Sequence, residues 1–211
     1  MEKDKAELLK KIRLGRVPES ELTEIYYEYR GNHQFLFNLI QNPLFPIRLG
    51  QEIIPELYPV ELIRVIANKR TNPFIRKRCE TEFFERYKKI AIGEKISLMK
   101  FAPLSVLLYF IEERDKKILK TIVSNPKCTE ELIVKLINRK GDRTDLYSIL
   151  LETDWLKQKN VSIAVSYDKE APIKAWIKII PFLPLKRLKE MSDNKNIHKI
   201  VKKNIKIRLN K

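Results

Sequence analysis

Apolar positions recur along the chain in short stretches, each followed by a polar turn. Within a stretch the apolar residues stand three or four positions apart, which is typical of an amphipathic helix. Five anchor residues stand just before or at the start of such stretches: Pro18, Pro59, Pro103, Thr144 and Pro184. The intervals between them are 41, 44, 41 and 40 residues. Proline lacks the N–H that is unpaired at a helix start, and threonine caps one, so the anchors predict five helix starts.

A second helix is predicted after each polar turn. Apolar residues four positions apart lie on one face of a helix and would form its buried seam. The five seam pairs are Phe35/Leu39, Ile75/Cys79, Ile118/Ile122, Val161/Val165 and Ile197/Val201. In most units a third element follows a turn such as Asn42-Pro43 or Asn125-Pro126. In the second repeat, which starts near residue 59, this region is longer and divergent.

At these residues the chain resembles the HEAT and armadillo families. The stretch LKRLKEMSDNKNIHKIVKKN from Leu185 is similar to a HEAT unit, and so is LIRVIANKRTNPFIRKRCE from Leu62. The Asn-Pro turns also resemble those of leucine-rich-variant repeats, but the iron–sulfur cysteine cluster of that family has no counterpart here. The resemblance implies an all-α fold, an α-α superhelix of about five repeats of ~41 residues. The repeats would start near residues 18, 59, 103, 144 and 184, with the last one truncated.

We expect residues 1–211 to form a single α-solenoid domain, in which residues 1–17 make an N-terminal capping helix. One helix pair cannot bury its apolar face alone, so stacked units would share one continuous core. The expected result is a short, curved, right-handed rod with a concave groove. An irregular helical bundle without true repeats remains the alternative.

Composition narrows the possible chemistry. The five glycines are scattered and form neither GxGxxG nor GxxxxGK[ST], which argues against a dinucleotide or P-loop site. Two cysteines, Cys79 and Cys128, and two histidines, His33 and His198, are too few for a disulfide framework or a metal centre, so we expect neither a metal nor another cofactor. The N-terminus lacks an apolar signal core, and the longest apolar run, residues 106–111, is far too short for a membrane span. The expected location is therefore cytoplasmic.

Charge is the second informative property. The chain has 43 Lys and Arg against 27 Asp and Glu, a net charge of +16. The excess is uneven: +3 in residues 1–17, −4 in 18–58, +6 in 59–102, +3 in 103–143, 0 in 144–183 and +8 in 184–211. In HEAT-like arrays the second helices line the concave face. That resemblance implies a broken basic stripe made of Arg76, Lys77, Lys120, Lys199, Lys202 and Lys203. The stripe would suit a phosphate backbone or an acidic protein surface, and the alternative is a set of ordinary solvated positions.

Three functions follow as hypotheses. The first is a non-enzymatic scaffold that binds a protein partner in the groove, because the chain shows repeats without a catalytic motif. The second is nucleic-acid binding through the basic repeats two, three and five, which are residues 59–102, 103–143 and 184–211. The third compares Asp154 and Trp155 with the carboxylate and aromatics of HEAT-like DNA glycosylases, although that likeness extends only to size, charge and fold.

Overall fold

A computed structural model describes residues 2–210, with side chains from residue 4 onward. This part of the chain is all-helical and contains no β-strand. It forms two compact units, of which the first ends at Pro103 and the second begins at Leu104. The interpretation of the whole chain as one continuous domain stays a prediction.

Unit 1 contains seven α-helices in its described residues. They are α1 (Glu2–Leu14), α2 (Glu19–Glu28), α3 (His33–Leu39), α4 (Ile47–Ile53), α5 (Pro59–Ala67), α6 (Pro73–Tyr87) and α7 (Ile92–Met99). A 3-10 turn, Ile54–Glu56, continues α4. Helix α3 packs on α1 and α2, α6 packs on α4 and α5, and α5 also contacts α7. The core of the unit therefore lies between helices that follow one another closely in the chain.

Unit 2 contains eight α-helices in its described residues. They are α8 (Leu104–Leu107), α9 (Lys116–Val123), α10 (Glu130–Asn138), α11 (Thr144–Leu151), α12 (Lys159–Tyr167), α13 (Ile173–Ile179), α14 (Leu185–Asp193) and α15 (Lys199–Leu209). Short 3-10 turns, Leu108–Phe110, Trp155–Lys157 and Ile180–Phe182, follow α8, α11 and α13. Helix α9 packs on α11, α12 packs on α10 and α13, and α15 packs on α13 and α14.

The predicted helix starts are confirmed at all five anchors. Pro18 and Pro184 are N-cap residues, Pro59 is the first helical residue of α5, and α8 begins directly after Pro103. Thr144 differs from the expectation, because it is the first residue of α11 and does not itself cap the helix. Its own N–H donates to the Asp142 carboxylate at 2.8 Å, so aspartate, and not threonine, supplies the cap.

The seams of the second helices are buried as predicted. All ten seam side chains are at most 8% exposed, and each pair lies on or immediately before α3, α6, α9, α12 or α15. Burial of a Val, Leu, Ile or Phe side chain contributes roughly 1.5–3 kcal/mol. The five pairs therefore account for a substantial part of the packing in the two units.

Two elements differ in length from what the spacing of their apolar residues predicts. The apolar run after Pro103 forms only the four residues of α8 and a 3-10 turn, after which the chain leaves the helix before Asp115. Asp115 accepts hydrogen bonds from Lys117 and Ile118 and so starts α9. Helix α6 continues to Tyr87, and the divergent region after it contains α7.

Two findings concern membranes and metals. No helix within residues 2–210 is long and apolar enough to cross a membrane. In the same part of the chain, no three His, Cys, Asp or Glu side chains are grouped so that they could hold a metal ion.

Candidate polyanion-binding surface

The six residues predicted to form a basic stripe lie in both units. Arg76 and Lys77 are on α6 in unit 1, whereas the other four, Lys120, Lys199, Lys202 and Lys203, are on α9 and α15 in unit 2. Arg76 and Lys202 are half-buried and the remaining four are exposed. Their convergence on one concave face stays a prediction.

Two of these six residues already have an ion-pair partner. The Lys77 ammonium lies 3.0 Å from Glu80, and Lys120 lies 3.4 Å from Glu152. These exposed pairs add little stability, about 0–1 kcal/mol each. They nevertheless place a negative charge beside each lysine, which weakens its attraction for an anionic ligand.

Helix α15 presents its basic side chains differently. His198 caps the helix by accepting a hydrogen bond from the Ile200 N–H at 3.2 Å. Val201 and Ile205 are buried and form the inner face of the helix. At 3.6 residues per turn, its four lysines fall within an arc of roughly 100°, whose centre lies roughly 130° around the helix from this inner face. We call this set the lysine face, and it consists of Lys199, Lys202, Lys203 and Lys206.

The lysine face is free of counter-charges on its own helix. Helix α15 contains no acidic residue, and none of its basic side chains forms an ion pair with any side chain of residues 4–210. The carboxylates on the adjacent helix α14 are Glu190 and Asp193, and Glu190 is bound to Arg187 at 3.0 Å. The predicted residues Lys199, Lys202 and Lys203 therefore share one surface, to which Lys206 belongs as well. Its position seven residues after Lys199 was the signal that could have identified it.

A further part of the positive charge is used inside the fold. Seven basic side chains among residues 4–210 donate to backbone carbonyls that close helices or turns: Arg70, Arg86, Arg114, Arg139, Arg143, Lys178 and Arg187. Arg86 is representative, because its guanidinium reaches Leu57 O at 2.5 Å and Pro55 O at 2.8 Å while also binding Glu82. Carbonyls at a helix C-terminus lack partners within the helix, and a cation there is electrostatically favourable. These side chains therefore stabilise the fold and contribute less to a binding surface.

The Gly15 turn shows how closely such a cation approaches the backbone. Gly15 has a φ of +67°, and Arg16 N donates to Lys11 O across the end of α1. Arg70 caps the same end through Leu14 O at 2.9 Å. A Cβ at Gly15 would lie 2.9 Å from the Arg70 guanidinium, so glycine satisfies both the backbone angle and the space.

An ionic cluster in unit 2 borders a cavity of about 270 Å³. Arg143 lies 3.0 Å from Asp168 and 2.6 Å from Glu170, and the Tyr147 hydroxyl donates to Asp168 at 2.5 Å. Burial, followed by the hydrogen bond to Asp168, raises the pKa of Tyr147. The tyrosine therefore stays protonated, and two carboxylates compensate the arginine. This arrangement joins α11 to the loop before α13 and is not suited to general-base chemistry.

Asp154 and Trp155, the residues compared with glycosylases, have structural contacts. The Trp155 indole N–H donates to Val123 O, 3.0 Å away at the end of α9. Asp154 is exposed and bound to Lys157 at 2.7 Å, and that hydrogen bond lowers the pKa of its carboxyl. The indole is thus engaged in capping a helix, and the carboxylate faces solvent beside a cation.

The cysteines and histidines occupy separate places. Cys79 and Cys128 are both free thiols, and burial raises their pKa values to about 12 and about 11. His33 binds Glu61 at 2.8 Å, and His198 caps α15. None of the four side chains lies in a group able to ligate a metal within residues 4–210.

Comparison of the chain with protein-family models, with curated protein sequences and with solved structures finds no match.

Proposed function

We propose that the helices form a HEAT- or armadillo-like α-solenoid of about five repeats. The helix starts at the five anchors and the burial of all five seam pairs support this arrangement. Each repeat in such an array contacts mainly the repeats next to it, so one complete repeat can be removed and the others can still stack. A variant lacking residues 144–183 is therefore expected to unfold cooperatively in urea, with far-UV circular dichroism typical of helices. A non-cooperative, largely unfolded chain would favour the irregular bundle.

We further propose that the protein is a non-enzymatic binding protein whose lysine face contacts the phosphate backbone of nucleic acid. The observation that carries this proposal is a helix with five basic residues, no acidic residue and no ion pair to the described side chains. Unit 2, to which it belongs, has 24 basic and 13 acidic residues in positions 104–211, a net charge of +11. Lysines arranged along one helix face can neutralise successive phosphates and release their counterions.

Fluorescence anisotropy with labelled DNA and RNA tests this proposal. Binding is expected at low salt and should weaken steeply as the salt concentration rises from 50 to 200 mM. Polyglutamate of equal charge is the competitor that separates phosphate binding from attraction to any polyanion. Absence of binding at 50 mM salt, or equal displacement by polyglutamate, would contradict the assignment to nucleic acid.

A second candidate function, binding of a protein partner, is favoured by an apolar groove in unit 1. The groove has a volume of about 320 Å³ between α5 and α7 and is lined by Val60, Ile63, Ala67, Leu98 and Phe101, with Arg64 at its edge. The Phe101 ring is 74% exposed, which is unusual for so large an apolar side chain. An apolar helix of a partner would fit such a groove.

A matched pair of variants distinguishes this candidate. Phe101→Ser removes the exposed ring of the groove, whereas Phe74→Ser removes a ring that is 70% exposed elsewhere in unit 1. A protein partner retained after nuclease treatment should be lost with the first variant alone. Equal retention by both variants would exclude the groove as its binding site.

A further inference from the structure

A second cavity in unit 2 adjoins the start of α15. Its volume is about 330 Å³, at the lower end of the range of small-molecule sites. The residues that line it come from α12 and the loop after it, from α13 and α14, and from the turn before α15: Ser166, Tyr167, Lys169, Trp176, Arg187, Asn194, Asn196 and Ile197. We call it the tyrosine pocket. Ile197 of the pocket comes directly before His198, the cap of α15. The pocket therefore lies only two residues in sequence from Lys199, the first residue of the lysine face.

The exposed aromatic ring of this pocket, Tyr167, is stacked against a cation that is itself fixed by hydrogen bonds. The Arg187 guanidinium lies 3.5 Å from the centroid of the Tyr167 ring. Arg187 is itself fixed by hydrogen bonds to Ser166 O at 2.7 Å, to Ser166 Oγ at 2.9 Å and to Glu190 at 3.0 Å. Tyr167 is nevertheless 61% exposed. A ring stacked on one side and open elsewhere offers a preformed surface for a second planar group, and little freedom is lost when that group binds.

The polar groups around the ring are suited to a nucleobase. The Asn194 Oδ1 accepts the Asn196 N–H at 2.9 Å, but its amide nitrogen and the side chain of Asn196 make no hydrogen bond to the described residues. Asn amides donate and accept, as the edges of the bases require. Trp176, which also lines the pocket, is buried, and its N–H already donates to Val165 O at 3.2 Å. Lys169 is exposed at the same pocket and carries no ion pair among the described side chains.

We propose that the tyrosine pocket binds an unpaired nucleobase stacked on Tyr167, so that the ligand of the lysine face is single-stranded nucleic acid. The inference rests on the proposed nucleic-acid function and specifies its substrate class. In a duplex the faces of the bases are covered by their neighbours, whereas a single strand can present one base to an aromatic ring. The adjacent lysines would then follow the backbone, as in other grooves that bind single strands.

The test measures anisotropy with labelled oligouridine and oligothymidine of about twelve nucleotides and with a duplex of equal length. Tyr167→Ala should weaken single-strand binding about fivefold to a hundredfold and leave duplex binding within about twofold. Tyr167→Trp should preserve single-strand binding, because it keeps a stacking surface. The control is Tyr27→Ala, which removes a ring of 62% exposure in unit 1 and should change nothing.

A measurement on the unmodified protein complements the variants. Oligouridine carrying 5-iodouridine should crosslink to the peptide that contains Tyr167 when irradiated, and mass spectrometry identifies that peptide. Crosslinks confined to other peptides, or a Tyr167→Ala variant that binds single strands normally, would overturn the inference while the lysine-face function stands. If neither single strands nor duplex bind at 50 mM salt, the inference and the proposed function both fail.

Discussion

Replacing the exposed lysines of the lysine face tests the proposed function most directly. Lys199, Lys203 and Lys206 are all exposed, and glutamine is similar to lysine in length and in helix propensity. The triple Lys→Gln variant should therefore fold normally, since exposed substitutions of this kind change the free energy of unfolding by no more than about 0.5 kcal/mol each. Its circular dichroism and urea midpoint check that expectation.

The magnitude follows from counterion release. Each phosphate contact contributes about 0.7 to the slope of log K against log salt for single strands, so three lost contacts lower its absolute value by about 2. We take 1 M salt as the reference at which the electrostatic contribution vanishes. For a tenfold decrease in salt, from 1 M to 0.1 M, a slope that is smaller by about 2 then lowers the association constant by about two decades. The association constant at 0.1 M salt is therefore expected to fall about a hundredfold.

A matched control separates location from net charge. The control variant changes three exposed lysines of unit 2 outside α15 to glutamine: Lys127, Lys140 and Lys159. Anisotropy titrations at four or more salt concentrations give the slope for each protein. If both variants lose the same affinity and slope, binding depends on total charge and the assignment to the lysine face is refuted.

Three further predictions concern the fold. Ile205→Ala should lower the free energy of unfolding by about 2–5 kcal/mol, whereas Ile207→Ala on the same helix, 52% exposed, should change it by less than about 0.5 kcal/mol in urea denaturation. Arg86→Ala leaves the carbonyls at the end of the 3-10 turn without their donor and should cost about 1–3 kcal/mol, and equal melting temperatures for it and exposed Arg78→Ala would contradict the capping role. Since burial raises the pKa of Cys79 from 9.0 to about 12, the unfolded thiol ionises first, and stability should fall by about 1.4 kcal/mol per pH unit between pH 9 and 12. Cys79→Ala should lack this contribution, so urea titrations at pH 8.5 and 10.5 that show the same decline in both proteins would refute it.

The local helical pattern was predictable because it depends on neighbours in sequence. Proline at a helix start and apolar pairs four residues apart act within one or two turns, so the seams such as Val161/Val165 follow from spacing alone. The early end of the helix after Pro103 cannot be predicted from the apolar pattern. There the apolar run favoured continuation, whereas the Asp115 cap determines where the next helix begins.

The candidate site was predictable in part. Lys199, Lys202 and Lys203 share a surface of α15, because their spacing places them on one side of a helix. The capping role of Arg86, which reaches carbonyls 29–32 residues earlier, depends on packing that no local pattern encodes. The same holds for Arg187 on Tyr167, since their stacking requires α12 and α14 to be adjacent.

The positions of two rare residue types allow the units to be observed separately. Both tryptophans of the chain, Trp155 and Trp176, belong to unit 2, and each indole N–H is bound to a backbone carbonyl. Unit 1 has a single thiol, Cys79, which is fully buried. Intrinsic fluorescence therefore follows the opening of unit 2, while alkylation of Cys79 reports the opening of unit 1. The unmodified protein thus carries its own probes for whether the two units unfold together or one at a time.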